Sequence, residues 1–192
     1  GFTHIMNNML IKNHWAMGFV EEVMHGAVYK PTGVDAHQCL SETNILHPAL
    51  TGMVGWKPDA PYHRVTVKPR FPMHWDSVTV RHLRVGQSLV TLRMNRSRKE
   101  TRYQFVLEQG PGIQVRLQPW IVNGMHLQGV IVDGKSVAFR DSITCGILKD
   151  PIVVNLATTS EVILMHTGGA AMFPIVPRPA PGDSSQGYRL LS

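Results

Sequence analysis

Short runs in which apolar and polar residues alternate fill the middle of the chain. The runs Val65–Lys68 and Val78–Arg81 show the period of two that is typical of half-buried strands. Turn signals separate such runs, and Asp133-Gly134 predicts a two-residue hairpin turn. The pattern predicts strands at residues 63–68, 77–85, 88–94, 101–108, 112–118, 127–132, 136–139, 152–157 and 161–166. Their regular spacing indicates an antiparallel β-sandwich over residues 63–173.

The first 55 residues have a different pattern, because their apolar residues recur at helical spacing. We predict one helix at about residues 3–25 and a second from residue 37 or 41 to residue 54, with Gly55 as its stop. The first helix is apolar or aromatic around much of its circumference, which is typical of a helix inside a larger body. Exposing each such side chain costs about 1.5–3 kcal/mol. The pair therefore packs into a helical body outside this segment or onto the sandwich, and we favour the first.

Proline-rich segments border the predicted sandwich on both sides. Residues 56–62 contain two prolines and a Pro-Asp turn signal, and they predict a stiff connector. Residues 174–192 contain four prolines in their first half and predict an extended tail. The expected fold class is α+β: the last helices of a helical body at residues 1–55, the connector, the sandwich and the tail.

Composition and charge exclude several classes of protein. Of the 192 residues, 43% are hydrophobic and 17% charged, which rules out wholesale disorder. No run of about 18 apolar residues predicts a membrane-spanning helix, and the N-terminal residues do not resemble a signal peptide. The compartment stays open, with a periplasmic or secreted location preferred over the cytoplasm. The net charge of +6 is spread out, with its densest cluster at the predicted hairpin tip, residues 95–100.

Metal and cofactor chemistry find no support in the residue spacing. His14 and His25 share a helix face, but eleven residues of helix separate them by about 16 Å, too far for one ion. Cys39 and Cys145 lie in different predicted domains and are expected to be buried thiols. No phosphate-binding or dinucleotide-binding glycine motif is present. We therefore expect neither a metal nor a cofactor.

Aromatic and polar side chains share one side of the first predicted helix. Asn8, Trp15 and Glu22 form a row at seven-residue spacing, with Phe19 beside it. An aromatic ring flanked by amide and carboxylate groups suits a sugar, whose C–H groups stack while its hydroxyls form hydrogen bonds. In the alternative interpretation, Trp15 and Phe19 belong to the core and the glutamates are solvated.

Four segments, in their order and spacing, resemble the C-terminal end of bacterial amylo-α-1,6-glucosidase-like glycoside hydrolases, which are related to glucoamylases. The segments are Phe19–Gly26, His37–Glu42, Gly55–Pro61, and Pro69–Asp76 running into Leu83–Gly86. The resemblance covers roughly residues 15–95 and implies that the helices close an (α/α)6 catalytic barrel. It also implies that the rest of the barrel comes from another chain or from an N-terminal region outside this sequence.

The resemblance also implies roles for individual residues. Glu22 stands 19 residues before Ser41, at the position of the general base in the inverting barrel enzymes. The general acid would lie on an earlier helix, outside this chain, so the chain alone is not expected to be active. His37 and Gln38 would bind sugar hydroxyls or, equally well, cap the second helix. Tyr29 is a candidate for the rim of the substrate site.

Three functions follow from these observations. The first is the C-terminal portion of a glycoside hydrolase acting on α-linked glucans or oligosaccharides. The second is a non-catalytic carbohydrate-binding or scaffolding module, which a row of exposed aromatic residues on one sheet would favour. The third is a basic nucleic-acid-binding protein, ranked last because no aromatic residues interleave with the cations of residues 95–100.

Overall fold

The computed structural model describes residues 46–72, 75–122, 124–140, 142–144 and 146–168. Nearly all of them belong to one compact unit, Leu50–Met172. A second unit combines residues 1–49 with residues 173–192, and only its residues 46–49 are described. The first predicted helix, most of the second and the proline-rich tail lie outside the described residues.

Twelve strands follow a short helical segment, and their bounds agree closely with the alternating pattern. They are β1 (Trp56–Asp59), β2 (Arg64–Val67), β3 (Ser77–Val85), β4 (Ser88–Arg96), β5 (Glu100–Gln109), β6 (Ile113–Leu117), β7 (His126–Val132), β8 (Lys135–Val137), β9 (Ile143–Thr144), β10 (Ile147–Leu148), β11 (Ile152–Leu156) and β12 (Thr159–Thr167). All of the predicted strands are present, and β1, β9 and β10 are additional.

Two sheets form the sandwich, and one of them differs from the prediction. The six-stranded sheet has the order β3-β4-β5-β12-β7-β8 and is antiparallel throughout. The four-stranded sheet has the order β1-β2-β6-β11, and β2 runs parallel to β6. The expectation of a purely antiparallel sandwich is therefore wrong. After β2 the chain crosses to the other sheet for β3, β4 and β5 and then returns, and parallel pairing requires such a long connection.

The buried side chains of both sheets form one hydrophobic cluster. Each contributing strand turns alternate residues inward, as in β11 and β12. Tyr103 and Phe105 lie two residues apart on β5, and both are buried. Burial raises the pKa of Tyr103 to about 12, because the phenolate would lose its hydration. The β-sandwich is thus confirmed.

The Asp133-Gly134 hairpin turn is confirmed between β7 and β8. Val132 pairs with Lys135, and the φ angles of Asp133 and Gly134 are 47° and 78°. Two consecutive positive φ angles are the requirement of the tight turn that suits a hairpin's twist. The Asp133 carboxylate also accepts hydrogen bonds from the Ser160 hydroxyl and the Glu161 backbone N–H, at 2.7–2.8 Å.

The predicted connector at residues 56–62 is instead part of the sandwich. Its first half is β1, which pairs with β2, and its second half is a 3-10 helix at Ala60–Tyr62. Pro58 is tolerated in β1 because this strand lies at the edge of its sheet, where one side needs no backbone N–H donor. The prolines excluded an α-helix, and they did not exclude an edge strand.

The described end of the second predicted helix is helical and stops where expected. Pro48–Val54 forms a π-helical segment, followed by Gly55 at a φ of 67°. A Cβ at Gly55 would collide with the Lys68 carbonyl oxygen. Glycine is therefore required both by its backbone conformation and by the neighbouring chain.

Candidate functional site

The residues that the sequence assigns to the substrate site lie outside the described residues. These are the proposed base Glu22 and the substrate-binding candidates Trp15, Tyr29, His37 and Gln38. Their roles stay predictions. The described residues instead contain two features with a bearing on function: a junction at the start of the sandwich, and a polar face on the four-stranded sheet.

The junction brings together two of the four segments that carry the family resemblance, Gly55–Pro61 and the segment that runs from Pro69 to Gly86. The indole Nε1–H of Trp56 donates to the backbone carbonyl of Arg84 at 3.1 Å. The Trp56 side chain is buried at the start of β1, while Arg84 lies on β3 in the other sheet. This hydrogen bond therefore links Gly55–Pro61 to Leu83–Gly86 across the sandwich.

The start of the second of these segments, at residues 69–72, also lies at the junction. The Arg70 backbone N–H donates to the Met53 carbonyl at 2.8 Å, next to the end of the π-helical segment. Phe71 is one of the largest fully buried side chains of the core. The Arg96 guanidinium donates to the Pro72 carbonyl at 3.1 Å. Residues 70–72, which have no catalytic chemistry of their own, are thus fixed by hydrogen bonds to backbone carbonyls and by the burial of Phe71.

The outer face of the four-stranded sheet carries a polar row that crosses all four strands. Asp59 pairs with Arg64, Arg64 with Gln114, and Gln114 with Asn155. Directly paired residues project from the same face of a sheet. Three strand-to-strand steps of about 4.8 Å give the row a length of about 14 Å. A carboxylate, a guanidinium and two amides therefore line one path across the sheet.

An exposed aromatic ring lies beside Arg64, the second member of this row. The Arg64 guanidinium lies 4.8 Å from the centroid of the Tyr62 ring. Asp59 Oδ2 also contacts this guanidinium, at 2.7 Å from both Nε and Nη2. Tyr62 is 71% exposed, so most of its ring is open to solvent. The ion pair and the cation–π contact together fix the orientation of Arg64 against an aromatic surface.

A shallow groove lies at the β11 end of the row. It has a volume of about 320 Å³ and is lined by residues 112–114 and 155–157. Gln114 and Asn155 supply amide groups to its wall, and Ile113, Leu156 and Ala157 supply apolar surface. Amides beside apolar carbon are the groups that hydrogen-bond and pack against a polyhydroxylated ligand.

A second row on the same face is cationic. Lys57 pairs with Thr66 and Thr66 with Arg116, while Val153 completes the row on β11. Neither Lys57 nor Arg116 forms an ion pair with any of the described residues. Together the two rows hold three cations and one carboxylate, so the face is electropositive.

Several charged groups on the outer face of the six-stranded sheet contact one another. The Arg102 guanidinium contacts Glu161 at 2.8 Å and Glu100 at 3.1 Å, and these hydrogen bonds raise the pKa of Arg102. The Thr91 hydroxyl donates to Glu108 at 2.5 Å, and the His82 ring lies 3.7 Å from the same carboxylate. These groups are already satisfied by one another.

A buried histidine lies beneath this sheet. His166 Nε2 is 3.1 Å from the Thr101 hydroxyl, and its Nδ1 is buried without a hydrogen-bond partner among the described residues. Burial, with a smaller contribution from Arg96, lowers the pKa of His166, while Glu100 acts in the opposite direction. The folded protein therefore favours the neutral ring.

Among the described residues, no three side chains of His, Cys, Asp or Glu are placed to share a metal ion. In the same ranges no helix combines the length and apolar character needed to span a lipid bilayer.

Sequence reasoning missed the polar face. Period-two alternation places Arg64, Gln114 and Asn155 outward on their own strands, but only the sheet order makes them neighbours. The order depends on the parallel pairing of β2 with β6, which has no local sequence signal. Tyr62 was missed because the segment that contains it was predicted to be a connector.

Comparison with known proteins gave structural neighbours only. No protein family and no curated protein matches the chain. The fold is similar to part of a GH127 β-L-arabinofuranosidase from Geobacillus stearothermophilus, with 14% identity and a TM-score of 0.38 over 67% of this chain and 19% of that one. It is also similar to part of an α-1,4-glucan lyase from Gracilariopsis lemaneiformis, with 8% identity and a TM-score of 0.33 over 53% of this chain and 13% of that one. The chain thus spans less than a fifth of the length of either enzyme.

Proposed function

We propose that this chain is the C-terminal portion of a glycoside hydrolase that cleaves α-glycosidic bonds of a glucan or oligosaccharide. Residues 1–55 would supply the last helices of an (α/α)6 barrel, and the β-sandwich would support them. One observation supports the proposal: two separate segments of the family resemblance meet at the junction, where the Trp56 indole N–H donates to the Arg84 carbonyl. A chance resemblance gives no reason for distant segments to contact one another.

In this proposal Glu22 is the general base of an inverting reaction. Its carboxylate takes a proton from the water that attacks the anomeric carbon, on the face opposite the leaving group. Such enzymes hold their two carboxyl groups about 6.5–9.5 Å apart, which leaves room for the water. The general acid comes from the rest of the barrel, on another chain or an N-terminal region. Trp15 stacks on the sugar, His37 and Gln38 bind its hydroxyls, and Tyr29 lies at the rim.

The test compares two adjacent carboxylates in the protein assembled with its helical body. Glu22→Gln is expected to lower kcat on α-glucans and aryl α-glycosides by about 10²–10⁴-fold, the usual contribution of a general base. Glu21→Gln is the matched control, because neighbouring residues point to different faces of a helix. NMR of the first product should show the β-anomer released from an α-linked substrate.

Equal losses in the two variants would remove Glu22 from the mechanism. Retention of the α-anomer would exclude inversion. If the assembled protein hydrolyses no glycoside, the enzyme proposal fails as a whole. Hydrolysis by this chain without the helical body would contradict a general acid outside it.

The second candidate function is a non-catalytic carbohydrate-binding or scaffolding module. The observation that favours it is Tyr62, which among the described residues is the one aromatic side chain in the exposed class. It projects beside the polar row of the four-stranded sheet rather than into the core. Glycan binding that persists in Glu22→Gln, with no hydrolysis in the wild-type assembly, would select this candidate.

A further inference from the structure

We propose that the outer face of the four-stranded sheet is a binding site for an acidic oligosaccharide, one that carries carboxylate or sulfate groups. Tyr62 stacks on a sugar ring, the amides of Gln114 and Asn155 bond to hydroxyls, and Lys57 and Arg116 bind the acidic groups. This site goes beyond the hydrolase proposal, because it needs neither Glu22 nor a completed barrel.

The arrangement is organised before any ligand binds. The Arg64 guanidinium contacts both the Asp59 carboxylate, at 2.7 Å, and the Tyr62 ring, at 4.8 Å from its centroid. The side chains of the row project from paired strands of one sheet, so the sheet fixes their spacing. A rigid surface loses little conformational entropy when it binds a ligand, which increases its affinity.

The length and chemistry of the surface fit an oligosaccharide. The row is about 14 Å long from Asp59 to Asn155, with the Tyr62 ring beside Arg64, and this length accommodates linked sugar units. The groove at its far end adds apolar carbon beside Gln114 and Asn155. Aromatic and amide groups on one line match the alternating C–H and hydroxyl surfaces of a sugar chain.

The charge of the surface selects the acidic class. Asp59 neutralises Arg64, whereas Lys57 and Arg116 form no ion pair with the described residues. They flank Thr66 in one row, two strand spacings or about 10 Å apart. Two uncompensated cations beside the sugar path give electrostatic complementarity to an anionic ligand and little advantage with a neutral one.

The test is a titration of the full 192-residue chain with oligogalacturonate, followed by calorimetry, with maltohexaose and oligo-dT as comparison ligands. We expect oligogalacturonate to bind at least about tenfold more tightly than either. Lys57→Gln combined with Arg116→Gln should weaken its binding about tenfold. Arg98→Gln combined with Lys99→Gln is the matched control, because it removes two exposed cations from the tip of the other sheet and should change binding less than twofold.

Tyr62 provides an independent measurement. Tyr62→Ala should weaken binding about tenfold, the magnitude typical of a lost aromatic contact, while Tyr62→Phe retains most of it. Thermal unfolding of each variant verifies that the sandwich is intact. Three results would overturn the proposal: equal binding of maltohexaose, tighter binding of oligo-dT, or equal losses in the two double variants. None of them bears on hydrolysis, so this proposal and the enzyme proposal fail separately.

Discussion

The outer faces of the two sheets contain similar residue types but differ in how many of their charged groups are paired. On the six-stranded sheet, Arg102 lies between two glutamates, and Glu108 accepts a hydrogen bond from Thr91. On the four-stranded sheet, one ion pair fixes Arg64 against Tyr62, and the remaining amides and cations face solvent. The number of charges alone therefore does not identify a binding surface. What matters is whether the charges are already neutralised within the fold.

The largest expected effect concerns the contact between the two sheets. Trp56→Ala removes a buried indole at the start of β1, together with its hydrogen bond to Arg84. We expect a loss of about 3–5 kcal/mol in the free energy of unfolding, as for other large-to-small core substitutions. Urea denaturation measures this loss.

Trp56→Phe separates packing from hydrogen bonding in the same position. It keeps most of the apolar volume and leaves the Arg84 carbonyl without its donor, so it should cost about 1–3 kcal/mol. If Trp56→Ala is as stable as the wild-type protein, the junction does not hold the two sheets together.

The next effect tests the buried histidine beneath the paired face. The pKa of His166 is lowered from its ordinary value of 6.5 by burial, so the unfolded chain takes up a proton at a higher pH than the folded protein does. Stability is therefore fully present above pH 6.5 and declines as the pH falls below it. The slope contributed by one such group cannot exceed about 1.4 kcal/mol per pH unit.

Urea denaturation between pH 7.5 and pH 5 measures this slope. His166→Gln should flatten it, since glutamine does not titrate in this range, and the chain's other histidines are unchanged in the comparison. Identical slopes in the two proteins would mean that His166 does not contribute to the pH dependence.

The smallest effect contrasts one cation from each face. Arg102→Gln breaks a partly exposed pair of ionic contacts, and we expect it to cost about 0.2–1 kcal/mol of stability at low salt. Arg116→Gln should leave the free energy of unfolding unchanged, because Arg116 has no described ionic partner. The same denaturation experiment covers both variants. A larger cost for Arg116→Gln would reverse the comparison between the two faces.

Local patterns predicted most of the sandwich. Alternation located β3 to within its observed bounds, and Asp133-Gly134 identified the turn between β7 and β8. The alternating pattern does not predict the edge strand β1, because Pro58 indicates a connector. An edge position nevertheless tolerates a proline. The short strands β9 and β10 contain two residues each, too few to show a period.

The candidate surface could not be predicted in the same way. Its members lie at positions 57–66, 114–116 and 153–155, and each is an ordinary outward residue on its own strand. They become a surface only through the sheet order, which is set by long-range pairing rather than by local propensity. The proposed catalytic residue Glu22 lies outside the described residues, so its role still depends on the family resemblance.

The parallel alignment of β2 with β6 has a consequence for the order of folding. Val65 is aligned with Val115, fifty positions later in the chain, whereas β3, β4 and β5 join consecutive neighbours through short turns. Closing a long loop loses entropy before any stabilising contact forms, so pairings between distant residues form late. During synthesis, we expect β3, β4 and β5 to pair first. We expect β2 to pair with β6 only after β6 has left the ribosome.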